Sequence, residues 1–134
     1  MDKNQIKNLV RQMTLKEKAG QVTQLPSRYF QIKGSQLTGT ENKLGITECE
    51  KWQAGSILGK MDAESMRNIQ AENMKRSRLK IPMMFMTDII HGYQTIFPVP
   101  LAMSCSFNPE LVEKSAAVSA KEGSAAGYQV TSVS

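Results

Sequence analysis

One carboxylate of this chain stands where ligand chemistry is done. After Pro82 comes a short apolar run, Met83-Met84-Phe85-Met86, which stops at Thr87 and Asp88. A continuous apolar run of this length reads as a strand buried on both faces, as in sheets built from βαβ units. In such folds ligands meet the protein just beyond the carboxyl ends of the strands. Asp88 is the only carboxylate of the sequence expected at such a position. There it can hold a polar ligand through charge-assisted hydrogen bonds, or serve as a turn or cap residue.

Its neighbours promise less. His91, beside Gly92, is expected to anchor the loop by a hydrogen bond, and it is assigned no chemistry. Tyr93 and Phe97 could line a ligand site, but packing of the loop is the expectation. Met83, Met84 and Met86 are expected to fill core. Ser104 and Ser106 have neither a partnering histidine nor a glycine elbow, which leaves a serine hydrolase without support. Metal-ligand spacings and phosphate-cradling glycine loops are not visible, so neither metal nor cofactor is expected. The remaining acids are expected away from any strand end. Asp2, Glu17, Glu50, Asp62, Glu64 and Glu110 fall at helix starts; Glu72, Glu113 and Glu122 belong to helices expected outside the sheet. Glu41 and Glu48 lie in an irregular region.

The elements that must position Asp88 alternate between helix and strand. Asp2 caps a first helix with Gln5 three residues on, and Ile6, Leu9, Val10 and Met13 share one apolar face. Thr14 and Glu17 form a capping box for a second short helix ending near Gly20. From Ser27 to about Thr47, with Gly34, Gly39 and Gly45 as breakers, a loop is predicted. Thr47 and Glu50 cap one turn through Trp52, and Gly55 to Gly59 brackets a short strand. Asp62 caps a helix running to about Arg76. After the Met83–Met86 strand comes a loop containing Pro98 and Pro100. Asn108-Pro109-Glu110 then supplies a cap, a first-turn proline and an acid at the positive helix end. That helix places Val112, Ala116, Gly123 and Ala126 on a small-residue face. Gly127 ends it, and 129–133 reads as a further strand.

With 134 residues, 40% hydrophobic and 22% charged, the chain suits one modest globular domain. No run approaches the ~20 apolar residues of a membrane span, and the polar first helix lacks a signal-peptide core. A cytoplasmic protein without membrane contact is expected, with Cys49 and Cys105 reduced and unpaired. The formal charge of +5 invites a nucleic-acid partner. Its one dense cluster, Lys75 to Lys80, sits at a helix end, where cations complement the dipole. Aromatic residues do not interleave with it, so no nucleic acid is expected.

Strand, helix, strand, helix, strand opens an α/β fold with parallel strands. It suits a complete small layered domain or the first part of a (β/α)₈ barrel, which needs eight strands and typically ~250 residues. The run TDIIHGYQTIFPVPLAMSCSFNPELVEKSA, from Thr87 to Ala116, closely resembles the start of the catalytic domain of family 3 glycoside hydrolases. β-Glucosidases of that family carry a very similar Asp-x-x-His-Gly-Tyr-x-Thr-x-Phe-Pro run. The resemblance extends from Met13-Thr14-Leu15-Lys16-Glu17-Lys18 through Gly55-Ser56-Ile57-Leu58 to Gly127, and is weakest from Ser27 to Trp52.

The resemblance implies an incomplete (β/α)₈ barrel: residues 1–134 would be the N-terminal part of the catalytic domain, ending near the third strand. It implies retaining hydrolysis of β-glucosides or short oligosaccharides, without metal or cofactor. By position, Asp88 matches the aspartate that binds hydroxyls of the sugar in the −1 subsite. The family's nucleophile and acid/base come from later segments, so no catalytic residue is expected in this chain and the piece alone should be inactive. A carbohydrate is the implied partner, and the incomplete barrel is open to self-association. A small stand-alone α/β module, binding a polar ligand through Asp88, is the alternative reading.

Overall fold

The computed structural model describes residues 2–30 and 45–132. Helix α1 (Lys3–Gln12) starts at Asp2, whose carboxylate accepts from the Asn4 and Gln5 amides while Gln5 accepts from the Asp2 amide. Helix α2 (Leu15–Gln21) opens on the Thr14–Glu17 capping box, and the single-turn α3 (Glu48–Lys51) on the same device at Thr47–Glu50. Each box satisfies amides that a helix start leaves without partners. Helix α4 (Ala63–Arg76) is capped by Asp62, and α6 (Pro109–Ala125) by Asn108 with Pro109 behind it. Between them α5 (Pro100–Ser104) starts at a proline inside what the sequence predicts as loop. No described helix is long and apolar enough to cross a membrane.

Four strands form one parallel sheet in the order β1 (Gln24–Pro26), β2 (Ser56–Leu58), β3 (Met84–Asp88) and β4 (Val130–Ser132). Neighbours in sequence are neighbours in the sheet, with no reversal. A doubly wound sheet reverses its strand order; a (β/α)₈ barrel does not. The sheet therefore has the winding of a barrel, and the chain holds a portion of one. Strand β1 is the difference from the sequence reading, which has no strand before Gly55, so the last strand is the fourth rather than the third. A three-residue strand ending in proline carries no visible period, and it exists here through its register on β2, Leu25 opposite Ile57. The expected loop begins as a 3-10 turn, Ser27–Phe30, that buries Tyr29 and Phe30. Residues 31–44, with Glu41, lie outside the described residues.

The sheet has two unlike faces. Leu25, Ile57 and Phe85 stand in register and are buried with Met66 and Ile69 of α4. The alternate residues, Met84 and Met86 with Leu58, Val130 and Pro26, belong to the other face, which no described helix covers. Met84 is 47% exposed, so β3 is buried on one face and not on both, and of the three methionines only Met83 is fully buried. Helix α6 also differs from its expected face. Ser115, Ser119 and Gly123 are the buried residues, while Ala116 is exposed and Val112 largely so. The two serines bury cheaply because each hydroxyl donates to a carbonyl of its own helix, at Val112 (2.7 Å) and Ser115 (2.9 Å).

The basic cluster behaves as a helix end. Lys80 donates to the carbonyls of Met74 and Lys75, Arg76 pairs with Glu72, and Arg78 pairs with Glu17. Arg76 also lies 4.8 Å from the centre of the Trp52 ring. The hydrogen bond from Arg78, helped by the Thr14 amide, holds the Glu17 carboxyl at about 2, well below its ordinary 4.5.

Candidate functional site

Asp88 is the last residue of β3 and is exposed at the carboxyl end of the sheet. Its Oδ1 accepts from the Ile90 amide at 3.1 Å, which bends the chain out of the strand. That bond occupies one lone pair of a carboxylate that has about four sites to offer. The turn and ligand readings of this residue are therefore compatible in one side chain.

The loop beyond it is short and fully braced. Gly92 donates to the Ile89 carbonyl and pairs with Ile96 in an antiparallel bridge, and the Phe97 amide donates to the His91 carbonyl at 2.7 Å. Gly92 has φ +122°, and a Cβ there would lie 2.0 Å from the Thr95 carbonyl oxygen, so the bend needs glycine. His91 does anchor the loop, but through its backbone. Its imidazole Nδ1 is buried without a hydrogen-bond partner among the described residues, contrary to the expected side-chain anchor. Tyr93 packs, as expected: its ring meets Tyr128 edge-on at 5.7 Å and leans on the core. The Tyr128 hydroxyl in turn accepts from the Met61 amide at 2.6 Å and donates to the Met61 carbonyl at 3.0 Å. Burial pushes that phenol above its ordinary range. Phe97 is half-buried.

Glu122 lies on a helix, as expected, and makes loop contacts that the sequence reading does not contain. From α6 it reaches to the loop tip. There it accepts from the amides of Gln94 and Thr95 (2.9 Å each) and from the Thr95 hydroxyl (2.7 Å). These bonds, the Thr95 hydroxyl first, lower its carboxyl below the ordinary range. A signal existed: an acid in the last turn of a helix opposes the dipole unless something else holds it.

Tyr93, Gln94, Ile96 and Lys60 line a cavity of about 420 Å³ at this end of the sheet. A larger one, about 490 Å³, lies at the opposite end, among residues that precede the strands, and its Glu17, Glu48, Arg76 and Arg78 are already paired. It has no share in chemistry at the carboxyl ends. Ser104 and Ser106 are engaged with their own turn, the first donating to Leu101, the second accepting from Asn108. Cys49 and Cys105 are free and exposed. Among the described residues, Asp88 is the one carboxylate at the carboxyl end of a strand. A single strand-end carboxylate can accept hydrogen bonds from a polar ligand, but among the described residues it has no second carboxylate beside it to form a pair.

Residues 14–132 match the Glycosyl hydrolase family 3 N terminal domain. The periplasmic beta-glucosidase of Salmonella typhimurium is 34% identical over 128 residues, which covers 94% of this chain and 15% of that protein. The beta-glucosidase from Listeria innocua in complex with glucose is 44% identical and superposes with a TM-score of 0.89, over 98% of this chain and 19% of the other. Its complex with isofagomine gives 0.85 over 98% and 18%. The chain thus spans less than a fifth of the length of these relatives. With residues 14–132 of this chain matched to the family's N-terminal domain, on a sheet wound as a barrel, this chain belongs to glycoside hydrolase family 3.

Proposed function

We propose that the chain contributes the first strands, and part of the sugar-binding floor, of a retaining β-glucosidase. In this reading Asp88 holds hydroxyls of the sugar in the −1 subsite, and a nucleophile and an acid/base from later segments complete the site. The domain is the N-terminal portion of the catalytic barrel. The observation that carries the reading is the placement of Asp88: an exposed carboxylate at the carboxyl end of β3, on a braced turn, with most of its acceptor capacity open. The glucose complex of the 44% identical Listeria enzyme supports glucosides as the substrate class.

Charge is what suits the residue to this work. A carboxylate accepts from two vicinal hydroxyls at once, and such bonds are roughly twice as strong as neutral ones. Bonds that strengthen as the ring flattens towards an oxocarbenium-like transition state add to rate rather than to binding alone. A cytoplasmic setting belongs to the same proposal, supported by the free thiols at Cys49 and Cys105; the Salmonella relative is periplasmic, and cell fractionation distinguishes the two.

The test compares the complete gene product with the 134-residue chain on aryl β-glucosides. The complete protein releases nitrophenol and the short chain does not, because it offers one strand-end carboxylate where two are needed. Turnover by the short chain, or none by the complete protein, refutes the proposal.

A further inference from the structure

We infer that Glu122 is a positioning residue for Asp88, clamping the loop that fixes where the substrate-binding carboxylate points. The inference rests on the reading of Asp88 given above. Helix α6 touches this loop at two adjacent residues. At Gly123 the helix comes so close that a Cβ would lie 3.0 Å from Cδ1 of Ile89, the residue that follows Asp88. One residue earlier, Glu122 takes the Gln94 and Thr95 amides and the Thr95 hydroxyl. The base and the tip of the loop are thus held by one turn of one helix.

Between these points the stem of the loop is braced by Gly92 on Ile89, Phe97 on His91 and Tyr93 against Tyr128, while the Gln94 and Thr95 amides donate to Glu122. The loop crosses itself at the Gly92–Ile96 bridge, and the tip residues Gln94, Thr95 and Ile96 are exposed. A tip without its clamp would leave two amides facing water and free the bridge to open. The Ile90 amide, which donates to Oδ1 of Asp88, lies on the same excursion from Asp88 to Phe97. Loosening the tip therefore loosens the carboxylate. Misplacement by about 1 Å from a remote substitution can cost as much as ~10²-fold in rate.

The experiment uses the complete enzyme and a double-mutant cycle. Glu122→Ala is expected to lower kcat/KM ~10-fold or more, with the loss in kcat exceeding the rise in KM. Glu122→Gln, whose amide oxygen still accepts from both backbone amides, is expected to restore most of it. In an Asp88→Ala background, Glu122→Ala is expected to cost nothing further, because residues acting through one group are not additive. A purely structural role would lower activity equally in both backgrounds, and that result overturns the inference. So does activity within twofold of wild type for Glu122→Ala. If Glu122→Ala does not fold, Thr95→Val removes one clamp bond and enters the same cycle. If Asp88→Ala is itself harmless, the reading of the site has failed. If Asp88→Ala is damaging and the Glu122 variants are not, only the clamp has failed.

Discussion

Replacing Asp88 separates its turn bond from the sugar contacts proposed for it. In the complete gene product, Asp88→Ala removes the Oδ1 bond to the Ile90 amide and, in the proposed function, every bond the carboxylate makes to a sugar. The turn bond is 3.1 Å long and exposed, so it contributes about 0.5–1 kcal/mol to stability at most. Two hydroxyl bonds to a charged acceptor contribute about 1.5–3 kcal/mol each, roughly 3–6 kcal/mol together. At 1.36 kcal/mol per tenfold, their loss corresponds to about 10²–10⁴ in kcat/KM. The lower end is expected, because water solvates the hydroxyls left unpartnered. Asp88→Asn is the discriminating partner: its side-chain oxygen can still accept from Ile90, so the turn survives while the charge is gone. Initial rates on p-nitrophenyl β-glucoside across substrate concentrations, with thermal melts alongside, give both quantities. The expected result is a fall of ~10²-fold or more for Ala, a substantial fall for Asn, and a thermal midpoint within a few degrees of wild type. Activity within threefold of wild type for Ala, or full recovery with Asn, would mean that Asp88 only turns the chain.

Three other outcomes follow from the packing. Glu17 is held at about 2 by Arg78 and Thr14; with its folded value depressed, its contribution is complete above about 4.5 and disappears as pH falls through 2. The difference in melting temperature between wild type and Glu17→Gln should shrink across that window, and a difference independent of pH would contradict the pairing. Tyr128→Phe strands the buried Met61 amide and carbonyl, which should cost about 1–3 kcal/mol by denaturant melt; a neutral change would show that these groups find other partners. The 134-residue chain by itself should associate through its uncovered sheet face. Met84→Lys should reduce that association in size-exclusion chromatography, and a monodisperse wild-type monomer would refute it.

What the sequence determined by itself is local. The capping boxes at Asp2–Gln5, Thr14–Glu17 and Thr47–Glu50 and the Asn108 cap are all present at their expected residues. A side chain meeting an amide three residues away needs only the backbone geometry of a helix start, so spacing suffices to read it. Asp88 was legible for a related reason, since an apolar run ending in a carboxylate marks the strand end without any partner being known. What only the tertiary structure decided depends on residues distant in sequence. Gln24–Pro26 is a strand because β2 pairs with it. Met84 is open while Phe85 is buried because helices cover only one face, and an apolar run looks the same in either case. Glu122 reaches loop residues 27 and 28 positions earlier in the chain. No spacing encodes that contact; it arises when α6 packs closely enough at Gly123 to bring the end of a helix over the loop that carries Asp88.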